Sequence, residues 1–288
     1  MADETPEKPI NQQILDQCQD RFEALAISPS RKDELTALLT DLLENDNLLE
    51  TLADTLSERQ EVWHEHIDDE KLGKILRGHI FEAVALKSLK QESRPYPELE
   101  RFLLWSLKDP RLWYVDWEHD GIGESLTKEE RKLLTTYTHV RPDKDELYAL
   151  QNNDAIVVEL RTDETTNKQV AVITGVVEAK NHQLMAGSPD EKQMKATPEI
   201  LHDMVMRYKR AFPLLVKGLG FDADMPDAID ILEPDKLTYT IIQPVDLDTP
   251  SARASVPPAF KHCQFAYSPI TRDEVFAVGE VLRDFIKM

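Results

Sequence analysis

Apolar side chains recur at intervals of three and four residues through the first part of the chain. This is the spacing of helices that bury one face, and it predicts helix over residues 11–56, with Ser30 as an N-terminal cap, and again over residues 69–89. A short helix is predicted at residues 98–107 and another at residues 127–136, on either side of an irregular aromatic and acidic stretch.

The pattern changes after Pro142, where polar and apolar residues begin to alternate. The alternation predicts strands at residues 146–150, 155–160 and 169–179, which polar turns join into a meander. The third of these strands is apolar at both parities, which is typical of a strand that is covered on both faces and is central in its sheet.

Helix and strand signals alternate in the rest of the chain. Thr197 is predicted to cap a helix that has Pro198 as its first residue and is interrupted near Pro213. Strands are predicted at residues 237–243 and 262–267, and a last helix at the capping box Thr271-Arg272-Asp273-Glu274. Together these elements predict an α/β (α+β) fold, a mixed central sheet flanked by helices and preceded by an N-terminal helical region.

The net charge of −20 is unevenly spread along the chain. Residues 1–70 hold 19 acidic and 5 basic residues, a net charge of −14, which leaves only −6 for the remainder. This split predicts an acidic helical N-terminal region, residues 1–68, and a second domain, residues 69–288. Since Lys and Arg dominate phosphate binding, a nucleic-acid partner is expected only for the second domain.

Other patterns limit the location and the metal chemistry. There is no run of about 20 apolar residues and no signal-peptide pattern at the start, so a cytoplasmic protein without a membrane partner is expected. Cys18 and Cys263 are too few for a disulfide framework and lack zinc-site spacing. A calcium-loop-like stretch that starts at Asp116 lacks its final Glu, and His64 and His66 fall on opposite sides of any helix.

The two strands around the turn at residues 162–168 form a hairpin whose register follows from its centre. In an antiparallel hairpin the numbers of opposed residues sum to twice the turn centre, so a centre at residue 166 places Asp154 opposite Glu178. Side chains alternate along a strand, so Lys180 shares that face. Two carboxylates and one ammonium are therefore predicted to converge at the end of an apolar strand.

Such a convergence is unfavourable without a cation, because buried charges lose water and the two carboxylates repel each other. Mg²⁺ or Mn²⁺ held by Asp154 and Glu178 would offset both effects, since Mg²⁺ prefers oxygen ligands and keeps several waters. The bound ion would activate a water for attack on a phosphodiester, and Lys180 would position or help to deprotonate that water. The alternative is a solvated Glu178–Lys180 pair at a strand end, with Asp154 as a turn residue.

Asp154, a gap of 23 residues and then Glu178-Ala179-Lys180 on a buried strand resemble the PD-(D/E)XK nuclease superfamily. The order of elements is similar too: a leading helix, three meandering strands, a helix and a further strand. The resemblance covers roughly residues 71–285 and departs at Asn153, where the family pattern has Pro. It implies a restriction-endonuclease-like core.

The resemblance also suggests accessory residues. Members of the family commonly carry a Glu on the leading helix, which implies Glu82 as a third metal ligand, with Gly78 one turn earlier to permit a close approach of helix and sheet. A Gln or Lys on the helix after the third strand often joins the site, and Gln193 and Lys195 are the nearest matches.

The implied activity is metal-dependent hydrolysis of phosphodiester bonds, in DNA rather than RNA. Basic residues that flank the site could follow the phosphates, and these are Lys192, Arg207, Lys209, Arg210 and Lys217. The alternative function is that of a non-catalytic nuclease-fold protein whose acidic N-terminal helices bind a protein partner or mediate self-association.

Overall fold

The structure is a computed structural model that describes residues 8–61, 64, 66–88, 125–138, 154–219 and 225–286. The predicted helix at residues 98–107, the strand at residues 146–150 and the calcium-loop-like stretch lie outside the described residues. Within them, no helix is both long and apolar enough to cross a membrane.

The described residues form eight α-helices and a five-stranded mixed sheet, an α/β architecture. The helices are α1 (Ile10–Ala24), α2 (Pro29–Glu44), α3 (Leu48–Glu61), α4 (Asp69–Ser88), α5 (Lys128–Thr138), α6 (Pro189–Leu219), α7 (Pro250–Ala254) and α8 (Arg272–Ile286). The strands are β1 (Ala155–Asp163), β2 (Lys168–Ala179), β3 (Ala228–Ile231), β4 (Thr238–Pro244) and β5 (Gln264–Ser268).

Strand β2 is central in the sheet, as was predicted from its apolar residues at both odd and even positions. It pairs antiparallel with β1 on one edge, and on the other edge it pairs in parallel first with β3 and then with β4. Strand β5 continues the sheet beyond β4, also in parallel. The main chain of β2 is therefore hydrogen-bonded along both edges and its side chains are covered on both faces.

An irregularity in the β1–β2 hairpin sets the register of the candidate site. Val158 pairs with Ile173, whereas Val157 pairs with Gly175, so Thr174 is an extra residue in β2. Such a bulge shifts the register by one residue and exchanges the two faces of the strand. Beyond it Ala155 pairs with Val177, and the predicted pairing of Asp154 with Glu178 continues that register by one residue.

Gly175 lies where β2 passes from its partner β3 to its partner β4. A Cβ atom at this position would lie only 2.8 Å from the carbonyl oxygen of Thr238, the first residue of β4. Any side chain would therefore push the two backbones apart. The close approach of β2 and β4 requires glycine here.

Two apolar cores lie on opposite faces of the sheet. The face covered by α5 and α6 buries Ile156, Ile173 and Val176 of the sheet. The other face buries Ala155, Val177 and Ile242 together with side chains of α1–α4 and α8. The N-terminal helices thus share a core with the sheet on the face opposite α6.

Helix α6 differs from its prediction at both proline signals. It begins at Pro189 and not at Pro198, and Ser188 caps it by accepting a hydrogen bond from the backbone N–H of Glu191. It also continues through Pro213 without interruption. A buried stripe at helical spacing, which packs on the sheet, outweighs the preference of proline to end a helix: Leu201, Val205, Tyr208, Phe212 and Leu215.

Smaller differences occur elsewhere. The helical stretch at residues 11–56 is divided into α1, α2 and α3, and the cap of α2 is Ser28, whose side chain accepts from the N–H of Arg31, and not Ser30. Strand β3 was not predicted, because its four residues are too few to show alternation. The capping box of α8 is confirmed, since the N–H of Thr271 donates to Glu274 Oε2 at 2.8 Å and the N–H of Glu274 to Thr271 Oγ1 at 3.2 Å.

One ion pair joins α2 to the start of α8. The Arg31 guanidinium donates through Nε and Nη2 to the two carboxylate oxygens of Glu274, at 2.9 and 2.8 Å, and also to the carbonyl of Pro269. The Glu274 side chain is only 7% exposed. This planar, two-point contact links the N-terminal helices to the C-terminal part of the fold.

We expect Gly175→Ala to lower the free energy of unfolding by about 1–3 kcal/mol, the usual range for an added methyl group in a packed interior. Urea unfolding followed by circular dichroism measures it. Gly78→Ala is the control: Gly78 is exposed within α4, a Cβ there meets nothing within 4 Å, and alanine should stabilise the helix by up to about 1 kcal/mol. If Gly175→Ala were as stable as the wild type, the close approach would be disproved.

We expect Arg31→Ala to destabilise the protein by about 1–3 kcal/mol, because the buried Glu274 carboxylate loses its charged donor. Lys32→Ala is the matched control, since Lys32 pairs with an exposed carboxylate, that of Glu23, and its loss should change stability by less than about 1 kcal/mol. Equal effects of the two substitutions in urea unfolding would show that the Arg31–Glu274 pair does not anchor α2.

Candidate active site

A group of polar side chains, here called the carboxylate–lysine cluster, lies at the carboxyl end of β2. It consists of Asp154, Glu178, Lys180, Asp190 and Gln193. Asp154 precedes β1, Glu178 lies at the end of β2, Lys180 follows β2 directly, and the last two residues lie in the first turns of α6. All five lie on the α6 face of the sheet.

Glu178 is the fully buried member of the cluster. Its Oε1 accepts a hydrogen bond from Gln193 Nε2 at 2.5 Å, and its Oε2 lies 3.2 Å from Lys180 Nζ. A buried carboxylate needs such partners, because it has lost its hydration. Gln193, which is itself buried, connects Glu178 to Lys180 by accepting from Lys180 Nζ at 3.3 Å.

Lys180 lies between two carboxylates. Its Nζ is 3.2 Å from Glu178 Oε2 and 3.5 Å from Asp190 Oδ1, and its side chain is 15% exposed. Burial lowers the pKa of Lys180, but the negative charges of Glu178, Asp154 and Asp190 outweigh burial and hold this pKa above its ordinary value. Lys180 is therefore a cation at neutral pH, and it is not a proton acceptor in this arrangement.

Asp154 joins the cluster across the hairpin. Its Oδ2 accepts a hydrogen bond from the backbone N–H of Ala179 at 2.6 Å, next to Glu178, and its charge acts on Lys180. The structure thus brings Asp154, Glu178 and Lys180 together on one sheet face.

Asp190 and His182 are part of this region and were missed from the sequence. Asp190 Oδ2 lies 3.0 Å from His182 Nε2, while Oδ1 faces Lys180. Burial raises the pKa of Asp190, but the hydrogen bond to His182 and the charge of Lys180 outweigh it and lower this pKa below its ordinary value. The stretch Ser188-Pro189-Asp190-Glu191 carries a helix-start signal as good as the one at Thr197-Pro198, and it would have placed Asp190 beside the end of β2.

Tyr239 of β4 was also missed. It is buried on the same face, and burial together with the negative charge of Glu178 raises the pKa of its phenol above the ordinary value. The phenol is therefore neutral beside the cluster. The alternation of residues in β4 does not by itself show which face of the sheet Tyr239 lies on.

Glu82 is not brought into a metal-binding group with Asp154 and Glu178. No set of three His, Cys, Asp or Glu side chains among the described residues is arranged to hold a metal ion. Helix α4 packs in the core on the other face of the sheet, and Glu82 Oε2 lies 3.6 Å from His79 Nδ1. The expected reason for Gly78 is wrong as well, because Gly78 is exposed and a Cβ there would meet nothing within 4 Å.

The other predicted basic residues lie outside the carboxylate–lysine cluster. Lys195 pairs with Glu191 at 2.5 Å, one turn away on the exposed side of α6. Lys209 pairs with Asp230 at 2.6 Å and Lys217 with Glu130 at 2.9 Å. Lys192 and Arg210 are exposed and Arg207 is half-buried. Lys195 and two of the predicted phosphate contacts, Lys209 and Lys217, are therefore already paired with acids.

Both cysteines are unsuited to nucleophilic chemistry. Cys18 and Cys263 are buried and unpaired with each other. Burial raises the pKa of the Cys18 thiol to about 12 and that of Cys263 to about 11, so neither forms a thiolate at neutral pH.

The donor set of the cluster fits Mg²⁺ better than a metal that needs a full protein cage. Asp154 and Glu178 supply carboxylate oxygens, and Mg²⁺ is commonly held by one or two carboxylates while it keeps several waters. The Lys180 ammonium now balances the charge of Glu178 at Oε2. A divalent ion at Glu178 would therefore require this ammonium to move toward Asp190 or Gln193, both of which it already contacts.

No protein-family model matches this chain, and no curated protein or solved structure matches it either. A function is therefore inferred from the geometry of the carboxylate–lysine cluster.

We expect the Asp190 carboxylate to stabilise the fold above its unfolded pKa and to lose that contribution as the pH falls through its lower folded pKa. Asp190→Asn should therefore flatten the fall in unfolding free energy between about pH 5 and pH 2. Urea unfolding at a series of pH values measures this. Asp235→Asn, at an exposed position in the turn before β4, is the matched control. A wild-type slope in Asp190→Asn would contradict the ion pairs described for Asp190.

Proposed function

We propose that this protein is a metal-dependent nuclease with a restriction-endonuclease-like core that hydrolyses phosphodiester bonds, in DNA rather than RNA. The observation that carries the proposal is the fully buried Glu178, held at the end of the central strand beside Lys180 and Asp154. A fold that only needed a stable core would gain more from an apolar residue here, because burying an ion pair rarely stabilises a protein.

The arrangement of elements supports the same proposal. Helix α4 precedes the β1–β2 hairpin, α6 follows it, and β4 then extends the sheet in parallel beside β2. The carboxyl ends of β2 and β4 meet at the cluster, since the backbone N–H of Lys180 donates to the carbonyl of Ile242 at 2.8 Å. Sites of α/β proteins commonly lie at this end of parallel strands.

Four residues of the cluster have distinct roles in this proposal. Asp154 and Glu178 would hold Mg²⁺ or Mn²⁺, which supplies an activated water and stabilises charge on the phosphate when bound. Gln193 orients the Glu178 carboxylate through the 2.5 Å hydrogen bond. Lys180, which the carboxylates hold as a cation in the metal-free cluster, positions the nucleophile or acts as an electrostatic partner of the phosphate.

We expect the wild type to cleave DNA with Mg²⁺ or Mn²⁺ and to be inactive in EDTA. Asp154→Asn should lower metal affinity and cleavage together, because an amide is a poorer ligand for a hard cation. Lys180→Ala should keep or slightly raise metal affinity while turnover falls by about 100-fold or more. Calorimetric titration of Mn²⁺ and single-turnover cleavage of DNA and RNA substrates separate the two effects.

Lys236→Ala serves as the control, because Lys236 is exposed in the turn before β4. This variant should cleave DNA as the wild type does. Equal loss of metal binding in Asp154→Asn and Lys180→Ala would make Lys180 structural. Unchanged cleavage in either variant would mean that the chemistry lies elsewhere.

A second candidate function is a non-catalytic protein that keeps this fold and binds a partner, or itself, through the acidic N-terminal helices. The observation that favours it is that Glu178 has a hydrogen bond from Gln193 at Oε1 and an ion pair with Lys180 at Oε2 without a metal ion. This candidate predicts no binding of Mn²⁺ in calorimetry, no cleavage of any substrate, and self-association or partner binding that is lost when residues 1–68 carry charge-reversing substitutions.

A further inference from the structure

A histidine lies at the open side of the carboxylate–lysine cluster. His182 follows Lys180 by two residues, and its side chain is 51% exposed. Its ring is held by Asp190, with Nε2 3.0 Å from Oδ2, and its backbone carbonyl accepts from the buried Gln243 Nε2 at 2.8 Å. His182 is therefore held by hydrogen bonds at both its backbone carbonyl and its imidazole ring, although the ring is half exposed. An ordinary surface histidine does not need both contacts.

Asp190 joins this ring to the rest of the cluster. Its Oδ2 faces His182 and its Oδ1 faces Lys180 at 3.5 Å, so one carboxylate holds both nitrogen groups at the same side of Glu178. Within the part of the chain that the structure describes, His182 Nδ1 has no hydrogen-bond partner. Since Asp190 engages Nε2, Nδ1 is the ring nitrogen that can meet a ligand.

We propose that His182 is a further substrate-contacting residue of this site, that its Nδ1–H donates to a phosphate oxygen of the nucleic-acid backbone, and that Asp190 is its positioning residue. The inference rests on the proposed nuclease function for the identity of the phosphate. Because Nε2–H is donated to Asp190, donation from Nδ1 uses the doubly protonated form of the ring, and no covalent bond changes.

The charges of the site explain why such a donor is needed. Asp154, Glu178 and Asp190 bring three negative charges to the cluster, and the nearby Lys180 ammonium is already shared between two of these carboxylates. In the metal-free protein, a phosphodiester that approaches the site would meet a net negative charge. A protonated imidazole outside the buried carboxylates gives the phosphate a charge-assisted hydrogen bond on the accessible side.

The first test reads binding without catalysis. Ring ¹⁵N and ¹H signals of His182 are followed by NMR while inorganic phosphate is added to the metal-free full chain. We expect the His182 signals to shift and those of His202 to stay, because His202 also lies near acids, 3.7 Å from Asp203 and 3.9 Å from Glu233, but outside the cluster. Asp190→Asn should weaken the phosphate response of His182 about threefold or more, and its acid-stability profile shows that the variant is folded.

The second test reads catalysis. His182→Ala should lower kcat/KM for DNA about tenfold, mainly through KM, since a charge-assisted hydrogen bond is worth roughly one factor of ten. His182→Lys, which restores a cation, should recover part of this loss, and His202→Ala should leave the kinetics unchanged.

The outcomes separate this inference from the proposed function. Cleavage by the wild type with no phosphate shift at His182 and no change in KM for His182→Ala overturns the role of His182 alone. A phosphate shift at His182 in a wild type that cleaves nothing supports the phosphate site and overturns the nuclease proposal. If the wild type shows no phosphate shift at His182 and also cleaves nothing, both proposals are overturned.

Discussion

The burial of the Glu178 carboxylate is the constraint around which the surrounding structure is arranged. A carboxylate without exposure is tolerated only where donors and a cation replace its water, and Gln193 and Lys180 do so at 2.5 and 3.2 Å. These partners come from different segments, Gln193 from α6 and Lys180 from the residue that follows β2. The first turns of α6 must therefore lie over the end of β2, which fixes the position of the helix on the sheet.

The position of Asp154 opposite Glu178 depends on the bulge at Thr174, four residues before Glu178 in β2. Without the extra residue Thr174, Asp154 would lie opposite Val177 and face the other core. The bulge and the adjacent Gly175 also lie where β2 passes from β3 to β4, and only glycine permits that close approach. The path of the central strand and the composition of the candidate site are thus consequences of the same few residues.

The N-terminal helices contribute to the fold from the other side. They bury their apolar faces against α4, α8 and the sheet face opposite α6, and the Arg31–Glu274 pair fastens α2 to the start of α8. Their surplus negative charge therefore lies on the side of the sheet away from the carboxylate–lysine cluster. A phosphate approaching His182 from the α6 side would be separated from these helices by the sheet.

Local signals in the sequence were enough to determine most elements and the central position of β2. Alternation, helical spacing and the capping box of α8 are properties of neighbouring residues, and they identify β1, β2, β4, β5, α4 and α8. The pairing of Asp154 with Glu178 was predicted as well, but the turn alone sets a register one residue short of it, as the pairing of Asp163 with Lys168 shows, and the extra residue Thr174 supplies the difference. The start of α6 at Pro189, its passage through Pro213 and the short strand β3 depend on packing against the sheet, which no local pattern contains. For the same reason only the tertiary structure decided that Asp190, His182 and Tyr239 join the site while Glu82 and Lys195 do not: these positions are set by contacts between residues distant in the sequence.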